Sequence, residues 1–238
     1  MRGFALVSHD YMKLSVIVPV YNEKRTISVI LEKVREVPVN KEIIVVDGNS
    51  IDGTRDLLKE EENKPDTRII YMPHRCGRGL ALKIGIENAK GDVIIFQDAD
   101  LELDPADYPA LLKPIEEGKA DVVFGSRFLG QSDEYMSFLQ KLGNKGLTGL
   151  VNLMYGSKLT DVETCYQVFK KEALKGIRIK GDEFNFTIEL SVKLLKKKYP
   201  VMEIPITYIP RGREEGKKIR WRDGFESLYA LVKYKFVD

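Results

Sequence analysis

Val93-Ile94-Ile95-Phe96-Gln97-Asp98-Ala99-Asp100 is the stretch that decides the fold, an apolar run ending in two carboxylates one residue apart. Four β-branched or aromatic residues in a row read as a buried strand. Two carboxylates at the C-terminal edge of such a strand are costly unless a partner compensates them, and a divalent cation is a strong partner. In an open α/β sheet the carboxyl ends of the strands are also where ligands bind. The pair therefore points to a hard cation holding an anion, and a nucleotide diphosphate fits that chemistry.

Working outward, strand and helix signals alternate. Leu14–Val18 is an apolar run followed by Pro19-Val20-Tyr21-Asn22-Glu23, and Ile27, Ile30, Leu31 and Val34 then mark one face of a helix. Glu42–Val46 reads as a second strand ended by Asp47-Gly48-Asn49-Ser50, with Asp52-Gly53-Thr54 opening another helix. Arg68–Tyr71 is a third strand, Leu80–Ala89 a helix, and Asp121–Phe124 one more strand. Such alternation means βαβ units and a mostly parallel sheet. Further on, Phe138–Leu153 and Phe186–Lys197 read as helices, and Met202–Ile209 as a strand broken by Pro205. Trp221, Phe225, Leu228, Tyr229, Val232 and Phe236 recur at helical spacing, with Arg222, Lys233 and Lys235 among them.

Bulk properties narrow the field. With 238 residues, 43% hydrophobic and 31% charged, the chain is ordinarily globular, and no linker tract or repeat divides it. Two distant cysteines, Cys76 and Cys165, outline neither a disulfide framework nor a zinc site, and a reducing, cytoplasmic setting is expected. Residues 1–12 lack a signal-peptide layout, Met12 is read as the natural start, and no apolar run approaches the ~20 residues of a membrane span. From Lys193 onward 12 Lys/Arg face 6 Asp/Glu, against 26 and 30 before it. A basic tail on an acidic body suits an anionic partner or simply a solvated surface. No nucleic-acid partner is expected.

Polar groups at the ends of successive parallel strands converge on one crevice by topology alone. Pro19–Glu23, Asp47, then Arg75, Arg78 and Lys83 in or after the loop beyond the third strand, all belong to that edge. Gly77-x-Gly79 is not a dinucleotide fingerprint, since Leu82 stands where the third glycine belongs, and no P-loop occurs. The bland alternatives are turn-forming aspartates, a helix cap at Asn22-Glu23, a structural Asp52, solvated loop arginines and a small core residue at Cys165.

Val18-Pro19-Val20-Tyr21-Asn22-Glu23, Val46-Asp47-Gly48-Asn49-Ser50-Ile51-Asp52-Gly53-Thr54 and Gln97-Asp98-Ala99-Asp100 resemble the family 2 glycosyltransferases of the GT-A fold. Asp98-Ala99-Asp100-Leu101, Gly125-Ser126-Arg127 and Arg213-x-x-Gly216-Lys217-Lys218 resemble, within them, the dolichyl-phosphate mannose synthase branch. The resemblance spans about residues 13 to 220. It implies a Rossmann-like, mostly parallel central sheet flanked by helices, with a C-terminal acceptor-side extension. By the same resemblance, Pro19, Tyr21, Glu23, Asp47, Arg78 and Asp98 contact a nucleotide sugar of the GDP-mannose or UDP-glucose type. Asp98, Asp100 and Glu102 hold Mg2+ or Mn2+, Arg127 meets an acceptor phosphate, and Arg213 with Lys218 closes over the reactants. Asp100, Arg127, Arg213 and Lys218 are then the catalytic set. The family usually carries a second aspartate where Gly48 stands and commonly Gln where Glu102 stands. Asp161–Tyr166 follows the branch's acceptor-side motif only loosely.

The expected activity is inverting, metal-dependent transfer of mannose or glucose to a polyprenyl phosphate. A saccharide or small soluble acceptor is the alternative. A lipid monophosphate is already anionic and needs no strong base, whereas a hydroxyl acceptor would call on Asp161 or Glu163. A nucleotidyltransferase would want a glycine-rich loop where Pro19–Glu23 has none, and a non-catalytic sugar-nucleotide binder would show no turnover at all. The helix over 221–238 is expected to pack on the body, on a second copy of the chain in a homodimer, or on the cytoplasmic face of a membrane as a peripheral contact.

Overall fold

The computed structural model describes residues 12–130, 136–183, 185–211 and 221–236, the last without the side chains of 221–227. Its first half repeats strand and helix as expected: β1 (Leu14–Val20), α1 (Ile27–Glu36), β2 (Lys41–Asp47), α2 (Thr54–Glu61), β3 (Thr67–Tyr71), α3 (Arg78–Asn88) and β4 (Val93–Phe96). Then come α4 (Tyr108–Glu116), β5 (Val122–Ser126), α5 (Phe138–Tyr155), β6 (Gln167–Lys170), α6 (Asn185–Lys196), β7 (Val201–Pro205) and α7 (Trp221–Phe236).

The seven described strands form one sheet in the order β3-β2-β1-β4-β6-β5-β7. All pairings are parallel except those of β6, which runs antiparallel to both β4 and β5. Strands covered on both faces read as continuous apolar runs rather than alternating ones. Alternate residues serve opposite sides: Val16 and Val18 of β1 pack with Ile30, Leu31 and Leu111 on one face. Ile17 packs with Leu82, Phe96 and Phe186 on the other. The predicted stripe Ile27, Ile30, Leu31 and Val34 is wholly buried, each side chain contributing about 1.5–3 kcal/mol relative to exposure.

Two elements lie outside the sequence reading. Helix α4 buries Tyr108, Leu111, Leu112 and Ile115 at helical spacing, masked in sequence by Pro105, Pro109 and Pro114. Strand β6 is four residues long. The α1 start also differs from expectation: the helix opens at Ile27 with Thr26 at its cap position. Asn22, at φ 53°, instead accepts the Ile51 amide at 2.9 Å. Asp52 is structural, its carboxylate receiving the Thr54 amide and hydroxyl at the head of α2.

The last helix packs on the body through one face and turns the described part of its apolar stripe outward. Ala230, Leu231 and Tyr234 are buried, while Leu228, Tyr229, Val232 and Phe236 are exposed. Tyr155 of α5 donates to the Leu231 carbonyl at 3.0 Å, so α5 and α7 lie side by side. The side chains of Trp221, Arg222 and Phe225 lie outside the described residues.

Candidate active site

The register sets the C-terminal ends of β1, β2 and β3 level with one another, Val20 opposite Asp47 and Asp47 opposite Tyr71. The end of β4 lies beside β1, Phe96 opposite Ile17, and the antiparallel β6 brings its N-terminal end to the same edge. The loops leaving β1, β2, β4, β5 and β7, and the one entering β6, therefore share one rim.

Gln97 anchors the loop after β4. Its buried Oε1 accepts the hydroxyls of Tyr108 and Tyr166 at 2.9 and 2.8 Å, and its Nε2 donates to the Asp98 and Leu103 carbonyls. Tyr166 donates as well to the Asp104 carbonyl at 2.9 Å. Leu101 sits at φ 64°, an uncommon conformation for a bulky residue that marks a sharply turned loop. The turn brings Asp100 and Glu102 round beside Asp98, and Asp100 accepts the Glu102 amide at 3.1 Å.

Each carboxylate of the DxD meets a guanidinium. Arg78 Nε, at the start of α3, lies 2.7 Å from Asp98, and its Nη1 donates to Thr187 at 2.9 Å. Arg211 contacts Asp100 at 3.1 Å and Glu23 at 2.9 Å, and its backbone amide donates to Glu102 at 2.9 Å. Among the described residues, buried Nη2 of Arg78 and Nε of Arg211 have no hydrogen-bond partner. Burial, then the charges of Asp98 and Glu102, push the Asp100 carboxyl up to about 7, with Arg211 opposing. Burial alone would lower the Arg78 guanidinium, but Asp98 and its other anionic neighbours hold it above its ordinary range.

No group of three His, Cys, Asp or Glu side chains among the described residues is arranged to hold a metal ion unaided. Asp98 and Asp100 are nonetheless the hard oxygen donors that Mg2+ and Mn2+ take. Mg2+ in particular is commonly held by one or two carboxylates, with substrate phosphates completing its shell. The residues present fit a cation shared with a diphosphate.

The remaining predicted residues divide in two. Pro19 and Tyr21 line the rim at the end of β1, with the Arg75 guanidinium 5.0 Å over the Tyr21 ring. Glu23 is in the cluster through Arg211. Asp47, at 0% exposure, is held by Arg55 Nε at 2.5 Å and by the Asn49 and Ser50 amides, so it braces its own loop. Lys83 points away from the cluster to Asp182, at 2.6 Å. Gly77 and Gly79 are explained by packing: a Cβ on either would lie within 2.4 to 2.8 Å of the 182–183 segment.

Across the rim, Arg127 grips Asp161 through both Nε and Nη2 at 2.7 Å, and its amide adds a third contact at 3.1 Å. Its guanidinium also stacks 5.3 Å over Tyr208. Asp161 has no exposed surface. A carboxylate so held is committed to its arginine. Burial raises the Cys165 thiol well above its ordinary range, which leaves it inert as a nucleophile. Arg213 and Lys218 lie outside the described residues. Arg211, which sequence reasoning passed over, immediately follows Pro210 at the exit of β7. An arginine just past a strand's C-terminal edge was the available signal.

A mainly parallel sheet with one reversed strand, and a DxD loop at its edge, is the architecture of GT-A glycosyltransferases. Glucosyl-3-phosphoglycerate synthase of Mycobacterium tuberculosis, solved with Mn2+, UDP and phosphoglyceric acid, shares it with a TM-score of 0.74 at 16% identity, covering 100% of this chain and 85% of that one. The chain belongs to glycosyl transferase family 2, whose model matches residues 15–178. It is 32% identical over 233 residues to a dolichol-phosphate mannosyltransferase of Pyrococcus furiosus, covering 94% of this chain and 65% of that protein. It is 30% identical to the low-salt glycan biosynthesis hexosyltransferase Agl6 of Haloferax volcanii, covering 84% of this chain and 49% of that one. The chain thus spans 65% and 49% of the length of these two relatives.

Proposed function

We propose that this chain moves a hexose from a nucleotide diphosphate sugar to a polyprenyl phosphate, inverting the anomeric centre in a single displacement. The observation that carries the reading is the DxD loop with an arginine on each carboxylate, set across one rim from Arg127. Arg78 and Arg211 each carry a buried guanidinium nitrogen without a partner, and charge-assisted hydrogen bonds to diphosphate oxygens would satisfy both. A divalent cation bound at Asp98 and Asp100 supplies further stabilisation of negative charge on the departing diphosphate. The chain's own work is alignment and charge stabilisation by fixed donors. Pro19 and Tyr21, with Arg75 above the ring, offer a surface for the base. Asp47 orders the adjoining loop that would border it.

Asp161 supports this acceptor class, with Glu163 left as the other carboxylate a hydroxyl acceptor would call on. Locked by Arg127, Asp161 does not serve as general base, which favours a nucleophile that is already anionic. A cavity of about 350 Å3 between α5 and the β5 edge, lined by Phe128, Lys145, Thr148, Gly149, Asn152, Leu159 and Thr160, lies next to that pair. It joins apolar walls to a cation, which suits a phosphate with a hydrocarbon tail. Phe138 at 80% exposure, Leu139, Leu142 and Leu153 of α5 and Phe236 at 81% of α7 add apolar surface, with Lys141, Lys145 and Lys235 on the same helices. We read that surface as a peripheral contact with a cytoplasmic membrane face. No helix among the described residues is long and apolar enough to cross one.

The test is transfer from labelled GDP-mannose and UDP-glucose, with Mn2+ or Mg2+, to polyprenyl phosphate or to soluble saccharides. Label in an organic-extractable, mild-acid-labile product that is lost with chelator is the expected result. Transfer to a saccharide hydroxyl without lipid would overturn the acceptor assignment. Failure to bind any nucleotide sugar would overturn the whole reading.

A further inference from the structure

The two arginine–carboxylate contacts that frame the site differ in kind. Arg127 meets Asp161 in a parallel fork, both contacts at 2.7 Å. Arg211 is instead shared among carboxylates. Its Nη1 reaches the Glu23 oxygens at 2.9 and 3.3 Å, its Nη2 reaches Glu23 at 3.3 Å and Asp100 at 3.1 Å, and its Nε lies 3.9 Å from Glu102. At 14% exposure it is largely withdrawn from water, yet that Nε donates to nothing. The fork geometry that makes arginine–carboxylate pairs strong is not reached with Asp100 or Glu102.

Three carboxylates drawn together at low exposure repel one another unless a cation lies among them. Arg211 lies among all three. It comes from the far edge of the sheet, after β7, and takes Oδ2 of Asp100. A divalent ion approaching the same carboxylate meets an oxygen already engaged and a positive charge about one hydrogen bond away.

We propose that Arg211 is the resident counter-cation of Asp100 in the DxD cluster, beside Arg78 on Asp98, and that a divalent cation entering alone must displace it from Asp100. This rests on the reading of Asp98 and Asp100 as the metal carboxylates. Two consequences follow. Free metal binds weakly, because it competes with a tethered guanidinium. Metal arriving with a nucleotide diphosphate binds better, because the diphosphate brings negative charge that lets both cations remain. Arg211 thus favours joint entry of metal and nucleotide over entry of metal alone.

The test is Mn2+ binding to the intact chain, read as loss of the free-ion EPR signal, with and without UDP or GDP. It uses wild type, Arg211→Gln, Arg211→Lys and Asp100→Asn. An adjacent opposite charge changes a carboxylate's proton affinity by roughly 10- to 1,000-fold, and a metal cation feels the same field. Arg211→Gln should therefore bind free Mn2+ at least about tenfold more tightly than wild type, and gain less from added nucleotide. Arg211→Lys, keeping the charge, should stay near wild type and guards against a folding defect in the glutamine variant. Equal or weaker Mn2+ binding by folded Arg211→Gln would overturn the counter-cation role while leaving the metal site standing. Mn2+ affinity unaffected by Asp100→Asn in either nucleotide condition would instead remove the metal reading itself.

Discussion

Replacing Arg127 by methionine is the perturbation whose size the structure sets most directly. Methionine keeps much of the aliphatic length but removes the two 2.7 Å contacts to Asp161. Asp161 then retains the Arg127 amide at 3.1 Å and its own amide bond to Glu203, with its carboxylate at 0% exposure and no opposite charge. Removing one partner of a buried pair typically costs about 3–5 kcal/mol, because the other charge is left buried and uncompensated. For a chain of this size each kcal/mol lowers the melting temperature by roughly 2–4 °C. The expected drop is thus about 6–20 °C, with urea unfolding followed by circular dichroism giving the free energy. Replacing both partners, Arg127→Met with Asp161→Leu, should recover most of it, since an apolar pair of similar volume is often neutral or better. A loss below about 1 kcal/mol for Arg127→Met would refute the reasoning, because that is the range of an exposed ion pair. The result also bears on chemistry. If Asp161 is locked rather than basic, Asp161→Asn should alter stability and turnover without shifting the pH profile of the activity that remains.

Mn2+ affinity should fall about tenfold per pH unit below pH 7 and level off above it, because Asp100 must lose its proton to bind and its carboxyl is pushed up to about 7. By the same linkage, a folded-state value above the unfolded ~3.9 gives stability that is full below about pH 4 and is lost as pH rises through 7. Metal-free protein should therefore gain from mild acid as far as this group decides, and a pH-independent Mn2+ titration would contradict it. Gly85→Ala places a Cβ 2.2 Å from Ile17 Cγ2, an overpacking cost of about 1–3 kcal/mol that outweighs the ~1 kcal/mol propensity gain. Gly143→Ala, with nothing within 4 Å, should stabilise by up to about 1 kcal/mol in the same urea assay. Phe138→Glu with Phe236→Glu should reduce flotation with anionic phosphatidylglycerol vesicles and leave the melting temperature within about 2 °C, as exposed positions do.

The donor half of the fold was legible because its physics is local. Strands β1, β2 and β4 are buried on both faces, so each is an unbroken apolar run, and the stripe of α1 follows from spacing alone. Asp98 and Asp100 were legible because topology places every strand end of a parallel sheet on one edge. What escaped depends on distance. Strand β6 is paired by β4 and β5 rather than announced by its own four residues, and α4 hides behind prolines that its ends tolerate. Which face of α7 meets the body was not legible, because Leu231 and Tyr234 seat against α6 and α5, whereas spacing marks the larger set Leu228, Tyr229, Val232 and Phe236, which stays outward. Arg211 lies 111 residues from Asp100, and nothing local says which of several late arginines returns to the cluster.

The reversed strand β6 has a consequence for how such a molecule can diversify. Among the described residues it is the ladder between the strands β3-β2-β1-β4 and the strands β5-β7, and three backbone pairings fasten it on each side. A parallel neighbour would have to be delivered by a crossover helix bound to the same face. The antiparallel β6 is reached through α5, and Tyr166, just ahead of it, pins the loop after β4 directly through Gln97. Loops beyond β5 and β7 can therefore lengthen, shorten or change chemistry while the spacing between the Asp98 loop and Arg127 stays fixed by β6. The strand works as a hinge pin set rigid: new acceptor surfaces can be hung on one side of it without retuning the other.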